Sequence, residues 1–287
     1  MVLDAQQVFK SIPWIQTLVD KVSRSRYESY LKHLVSYPNR LSTSSYYKDA
    51  AMWAHDQLKE MGYTVNIENI SMNNETSNNI IADKHGQHSD IKNLIIVTAH
   101  LDSVNHEGGD MANAPGADDN GSGSAGLIEI ASVLKKFPTQ HDLRFILFGG
   151  EEQGLLGSKQ YIENLSDLDK SRIRAVINMD MIGSLNTPTP SVMLEGAPIS
   201  QFIINELAEA AATYTSLQVQ TSLNPFASDH VPFIQANIPA VLTIEGKDEE
   251  NHNEHTSDDT LDLINYELAL DILKMNVAFI ASQLKSD

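Results

Sequence analysis

The chain has 287 residues, 41% of them hydrophobic. This is enough to bury a full hydrophobic core, and the length is near the upper limit of a single domain. Its 20 lysines and arginines against 38 aspartates and glutamates give a formal charge of −18, which repels nucleic acid and anionic membranes and favours cations, although solubility alone is the alternative explanation. Cysteine is absent, so disulfides, thiolate zinc sites and cysteine nucleophiles are excluded. We find no apolar run of about 20 residues and no signal-peptide pattern in the first seven residues.

The predicted elements begin with a helical segment over about residues 1–62, where apolar residues recur at three-and-four spacing and the last helix stops at Gly62. Strands are then predicted at 64–70, 79–83, 93–99, 143–148, 173–179 and 240–244, and further helices at 124–137, 201–212 and 266–284. This alternation predicts one domain over 1–287, a three-layer α/β/α sandwich around a mixed, mostly parallel central sheet with antiparallel strands on its N-terminal side.

Polar side chains follow the buried strands at the positions where parallel sheets collect their ligands. His100 ends one strand, and Asp102 two residues later can orient a metal-bound imidazole by accepting its second ring N–H. Glu151 and Glu152 follow the next buried run, and Asp180 follows another. Each of these alone is more simply a polar rim.

Two further segments carry candidate ligands outside the strand ends. Asp118 and Asp119 lie among glycines before a predicted helix, and a turn with a helix cap is the simpler reading of that pair. His255 lies in a polar loop before the last helix. Together, five segments supply oxygen or imidazole donors and no thiol, which suits zinc or a similar divalent ion and is enough for two metal ions.

Five sequence blocks, in this order and spacing, resemble those of the co-catalytic di-zinc exopeptidases, in particular the compact bacterial leucyl aminopeptidases. The blocks are H-L-D, G-A-D-D-N-G-S-G, E-E-Q-G-L-L-G-S, N-M-D-M and H-T-S-D-D-T, between His100 and Thr260. The resemblance implies the zinc-dependent exopeptidase fold and two Zn²⁺ per chain.

The resemblance also assigns a role to each matching residue. It implies that His100 and Asp180 bind one zinc, Glu152 and His255 bind the other, and Asp119 bridges both. It makes Glu151 the general base, with Asp102 and Asp259 as supporting residues and Asp118 away from the metal. A cis peptide bond beside Asp119 is a further expectation.

The predicted reaction is hydrolysis of the first residue of a peptide with a free N-terminus. Glu151 would take a proton from water and deliver it to the leaving amine. The crowded carboxylates favour an α-ammonium group, and the six arginines lie outside the blocks, which disfavours a carboxypeptidase. Six apolar residues either belong to the core or line a pocket that would favour Leu, Met or Phe, namely Met181, Leu194, Phe226, Phe233, Leu242 and Ile244.

One segment departs from the family pattern. Where relatives carry a disulfide and an oxyanion tyrosine, residues 223–230 have neither.

Several alternatives remain open. A carboxypeptidase or dipeptidase of the same family, a single-zinc glutaminyl cyclase-like acyl transferase and a non-catalytic binding module are the other functions considered. The spacing at Gly154–Lys159 is not that of a phosphate-binding P-loop. We expect a monomer that binds neither nucleic acid nor membrane, and a secreted or periplasmic location by analogy with secreted relatives.

Overall fold

The computed structural model describes residues 10–87 and 92–285. The interpretation of residues 1–7 as lacking a signal peptide, and the first part of the predicted helical segment, lie outside the described residues. Among the helices described, none has the length and apolar character needed to cross a membrane.

The described residues form the following regular elements. The helices are α1 Pro13–Val19, α2 Arg24–Val35, α3 Ser45–Glu60, α4 Gly123–Leu134, α5 Leu156–Asn164, α6 Asp167–Arg172, α7 Gln201–Tyr214, α8 His230–Gln235 and α9 Tyr266–Lys285. The strands are β1 Thr64–Met72, β2 Glu75–Lys84, β3 Leu94–His100, β4 Asp142–Phe148, β5 Ile173–Met179, β6 Ser191–Glu195, β7 Gln218–Ser222 and β8 Ala240–Glu245.

The eight strands join one mixed sheet in the order β1-β2-β4-β3-β5-β8-β6-β7. The four central strands β4, β3, β5 and β8 are parallel, and β3 and β8 are buried along their whole length, as expected for strands covered on both faces. The predicted fold class is therefore confirmed. Antiparallel pairing is not confined to the N-terminal side, however, because β6 pairs antiparallel with β8.

Helices cover both faces of the sheet, each over its own apolar cluster. The larger cluster packs α1 to α4, α7 and α9 against one face, and there Trp14 of α1 stacks on Phe137 with ring centroids 5.6 Å apart. The smaller cluster joins Tyr161 of α5 and Phe233 of α8 to Phe148 of β4 on the other face. These two layers fix the central strands and so the positions of their carboxyl ends.

Candidate metal centre

Three adjacent parallel strands bring the predicted residues to one edge of the sheet. His100 is the last residue of β3, Asp180 directly follows β5, and Glu151 and Glu152 lie just beyond β4. Because these strands are neighbours in register, side chains at their carboxyl ends lie close together.

Two loops complete the cluster with unusual backbone. Asp119 lies in the irregular helical turn Ala117–Ser122, and the Asp119–Asn120 peptide bond is cis, which confirms that expectation. The turn begins at Gly116, whose φ is +52° and where a Cβ atom would lie 2.5 Å from the carbonyl oxygen of Asp119. His255 and Met181 both have φ +56°, in the left-handed region that non-glycine residues rarely occupy.

The carboxylate of Asp119 lies between two groups of donors. Its Oδ1 is 3.2 Å from His100 Nε2, which is 3.1 Å from Asp180 Oδ1. Its Oδ2 is 2.9 Å from His255 Nε2, which is 3.0 Å from Glu152 Oε2. The structure thus brings together all five residues predicted as metal ligands, and their shortest contacts follow the two sets that the family resemblance implies.

The spacing and chemistry of these donors fit zinc. Ligand atoms about 2.0–2.1 Å from a tetrahedral zinc ion lie roughly 3.3 Å from one another, close to the separations around Asp119. All donors are imidazole nitrogens or carboxylate oxygens. In addition, Glu152 Oε1 is buried without a hydrogen-bond partner, which is costly unless a cation satisfies it.

The electrostatics of the cluster also favour a cation. Burial raises the pKa of Glu152 to about 8 and raises the pKa of Glu151 well above its usual value. Hydrogen bonds to Asp119 and Glu152 raise the pKa of His255 to about 11. These shifts show that the carboxylates need positive charge, which divalent cations supply without protons.

Glu151 is beside the cluster without joining its short contacts. Its Oε2 is 4.0 Å from His100 Nε2, and the residue lines the cavity above the cluster. This position leaves a carboxylate free to exchange a proton with a bound molecule.

Asp102 holds both sides of this arrangement. Its Oδ1 is 3.5 Å from His100 Nδ1, and its carboxylate accepts the backbone N–H groups of Glu151 at 3.4 Å and Glu152 at 3.2 Å. Since Asp102 is fully buried and does not line the cavity, it is placed to position His100, Glu151 and Glu152 and not to contact a molecule in the cavity.

The two remaining acidic residues support the turn. The carboxylate of Asp259 accepts the backbone N–H groups of Asp118 and Asp119, each at 2.9 Å. The carboxylate of Asp118 accepts the N–H of Gly183 at 2.7 Å and the side-chain amide of Asn251 at 3.0 Å. It is therefore engaged away from the Asp119 cluster.

A buried arginine lies behind the centre, which the sequence did not indicate. The Arg40 guanidinium donates to four backbone carbonyls, and burial lowers its pKa to about 10. These acceptors belong to Leu34, Leu101, Pro115 and Gly116. Arg40 therefore ties the loop after β3 to the turn of Asp119, but it is inaccessible to a substrate carboxylate.

The centre opens into a cavity of 760 Å³. Met181, Leu242 and Ile244 form a small apolar cluster in its wall with Met193, and Phe226 stands at its rim, 79% exposed. Leu194 and Phe233 are different. Both are fully buried in the core on the faces of the sheet and do not line the cavity, so they are core residues, the alternative that the sequence left open.

The rim of the cavity is acidic. Besides the cluster itself, it contains four carboxylates and one lysine, namely Glu195, Asp248, Glu249, Glu254 and Lys159. The Lys159 ammonium donates to the carbonyl of Gly154 at 2.9 Å. The cavity therefore presents a strongly negative surface to whatever enters it.

Two contacts near the centre escaped the sequence analysis. In the loop that lacks the tyrosine, Ser228 Oγ donates to Asp180 Oδ2 at 2.6 Å and accepts from Asn178 at 2.8 Å. His106 lies beside His255, with ring centroids 4.4 Å apart. Neither residue belongs to a matching block, and the only local signal for His106 is a histidine soon after His100 and Asp102.

Comparison with known proteins identifies relatives along most of the chain. The model of Peptidase family M28 matches residues 79–280. The aminopeptidase YwaD of Bacillus subtilis (strain 168) is 34% identical over 197 residues, which are 68% of this chain and 42% of that protein. The chain thus spans less than half the length of this curated relative.

Solved structures show the same fold. The LapA aminopeptidase of Legionella pneumophila superposes with a TM-score of 0.83 at 26% identity, over 100% of this chain and 78% of that chain. The zinc aminopeptidase BSAP of Bacillus subtilis superposes with a TM-score of 0.81 at 19% identity, over 92% of this chain and 96% of that chain. The second likeness is one of fold.

Proposed function

The chain belongs to peptidase family M28, and on that premise we propose that it is a zinc aminopeptidase that removes the first residue of peptides. The observation that carries this proposal is the position of Asp119. One of its carboxylate oxygens faces His100 and the other faces His255, so two metal ions can share it.

Two zinc ions per chain are part of this proposal. His100, Asp119 and Asp180 would hold one, and Asp119, Glu152 and His255 the other. When bound, such ions polarise a peptide carbonyl and lower the pKa of water towards neutrality.

Glu151 is the proposed general base. Its carboxylate takes a proton from the attacking water and then delivers that proton to the amine that leaves. Burial raises the pKa of Glu151, which favours the protonated form that acts as the acid in the second step. The carboxylate of Asp102 keeps Glu151 in place by accepting the backbone N–H of Glu151.

The charges around the cavity support binding of a free N-terminus. The carboxylates of the rim attract an α-ammonium group and repel a terminal carboxylate. Arg40, the arginine nearest the centre, has its donors on backbone carbonyls and is fully buried. Lys159 is the one exposed cation among the described residues lining the cavity, and its ammonium is engaged with Gly154.

Apolar side chains in the cavity wall support a preference for Leu, Met or Phe as the first residue. Met181, Leu242 and Ile244 are at least 90% buried yet line the cavity with Met193, so an apolar side chain would complete their packing.

The test is hydrolysis of leucine p-nitroanilide by the wild type, by Glu151→Gln and by chelator-treated protein. We expect release of nitroaniline by the wild type, loss on chelation with recovery on adding zinc, and a fall of about 100-fold or more for Glu151→Gln. N-acetyl-leucine p-nitroanilide should not be cleaved, because its amine is blocked. Equal activity of wild type and Glu151→Gln, or cleavage of a peptide from its carboxyl end instead, contradicts the proposal.

A further inference from the structure

His106 lies next to the centre but has no role in the five-ligand set. It lines the same cavity, and its ring is tilted by 47° to that of His255. One ligand atom each from His106, Glu152 and His255 lie within 4.8 Å of one another. Three donors therefore converge on the side of the cavity where Glu152 Oε1 is buried and has no hydrogen-bond partner.

The loop that carries His106 is held in place. The backbone N–H of His106 donates to the carbonyl of His255 at 3.0 Å. Next to it, the side chain of Asn105 accepts the N–H groups of Glu107 and Gly108 and donates to the carbonyl of Asn113 at 2.8 Å. These bonds hold the backbone of His106 beside that of His255.

The two metal positions would then differ in the number of protein donors. On one side are Asp119, Glu152, His255 and His106, four in all. The other side has His100, Asp119 and Asp180, and Glu151, which also lies within 4.8 Å of His100 and Asp180, is assigned there as the proposed base and not as a ligand. Structural zinc sites are usually closed by four protein ligands, while catalytic sites have three and keep one position open. The three-donor side is also the side next to Glu151.

We propose that His106 is a further ligand of the metal ion held by Asp119, Glu152 and His255, which encloses that ion and leaves the open position to the ion beside Glu151. This inference rests on the proposed function, because it needs two ions bridged by Asp119.

The experiment is calorimetric titration of the metal-free protein with Zn²⁺, and separately with Co²⁺ while its visible absorption is recorded. Four forms are compared with the wild type. His106→Ala removes the ring, His106→Phe keeps an aromatic ring against His255 without a nitrogen, and His106→Asp offers an oxygen ligand instead. His252→Ala is the matched control, because His252 is exposed on the same loop as His255 and does not line the cavity.

We expect His106→Ala and His106→Phe to weaken one of the two zinc-binding steps by about 10- to 100-fold, with the other step unchanged. The Co²⁺ absorption should change in both, His106→Asp should regain most of the affinity, and His252→Ala should match the wild type. If His106→Phe binds both ions as tightly as the wild type, the ring only packs on His255 and the inference is wrong. It is equally wrong if both steps weaken alike. A wild type that binds fewer than two ions overturns the proposed function as well, which the wild-type titration shows by itself.

Discussion

Asp259 Oδ2 accepts the backbone N–H of Asp119 at 2.9 Å, so the loop before α9 fixes the residue that bridges the two proposed metal positions. The same loop carries His255, whose Nε2 is 2.9 Å from the side-chain Oδ2 of Asp119. One segment thus supplies a ligand and also positions the bridge.

Asp259→Ala should therefore weaken zinc binding more than it weakens the fold. Removing the carboxylate frees the N–H groups of Asp118 and Asp119, and loss of a residue that orients ligands costs about 10- to 100-fold in metal affinity. Zinc titration measures this loss. Asp258→Ala, a change at an exposed neighbouring carboxylate, should leave the affinity unchanged, and equal effects of the two changes would contradict the role of Asp259.

Arg40→Met should destabilise the metal-free protein by about 3 kcal/mol or more. The change leaves buried carbonyls, among them those of Leu101 and Gly116, without their charged donor. Urea unfolding gives the free energy. The control is Arg24→Met, because Arg24 is exposed and its contact with the Tyr266 ring contributes no more than about 1 kcal/mol. If Arg40→Met lowers the free energy of unfolding no more than Arg24→Met does, the hydrogen bonds of Arg40 to Leu101 and Gly116 do not stabilise the fold.

Met193→Phe should change the choice of the first residue. The larger side chain fills space beside Leu242 and Ile244, so kcat/KM for leucine p-nitroanilide should fall by about 10-fold or more relative to alanine p-nitroanilide. Leu185→Phe makes a comparable change at a residue that is 42% exposed and outside the cavity, and should leave the ratio unchanged. If Met193→Phe leaves the ratio of the two kcat/KM values unchanged, the side chain of the substrate's first residue does not bind beside Met193.

The stability of the protein should depend on pH differently with and without zinc. In the metal-free protein, the pKa of His255 is raised from 6.5 to about 11 by Asp119 and Glu152. This ion pairing is fully present below about pH 6.5 and is lost as pH rises towards the folded-state pKa. Glu152, whose pKa burial raises to about 8, acts in the same direction. The Tm of chelator-treated protein should therefore fall between about pH 6.5 and about pH 9.

Zinc should remove this trend, because metal ions bind deprotonated histidine and carboxylate, so the zinc-bound ligands have no protons to lose as the pH rises. The rise in Tm caused by zinc should accordingly grow over the same pH range. Thermal unfolding monitored by circular dichroism at several pH values provides the measurement. A rise in Tm that shrinks with increasing pH would mean that protonated groups, and not the assigned ligands, hold the ion.

The sequence predicted the central strands well because their apolar runs are nearly continuous and each ends in a polar residue. β5 begins and ends at the predicted residues, 173 and 179, and the approach of His100 to Asp180 followed from strand ends meeting at one edge. By contrast, β7 is largely exposed and polar, so the strand has no periodic signal, and its neighbour β6 was missed with it.

Contacts between distant segments could not be predicted from sequence patterns. Arg40 meets Leu101 and Gly116 across 61 and 76 positions, and only the packing of α2 and α3 on the sheet brings it there. Ser228 and Asp180 are 48 positions apart. The pocket residues divide for a similar reason, since Leu194 and Leu242 look alike in sequence and differ only in the face of the sheet to which they point.

The central claim is that Asp119 bridges two zinc ions, and anomalous X-ray diffraction at the zinc absorption edge from crystals of the zinc-loaded protein tests it most directly. We predict two anomalous peaks, one bonded to Asp119 Oδ1 with His100 and Asp180, the other bonded to Asp119 Oδ2 with Glu152 and His255. A single peak, or two peaks that do not share Asp119, would contradict the account.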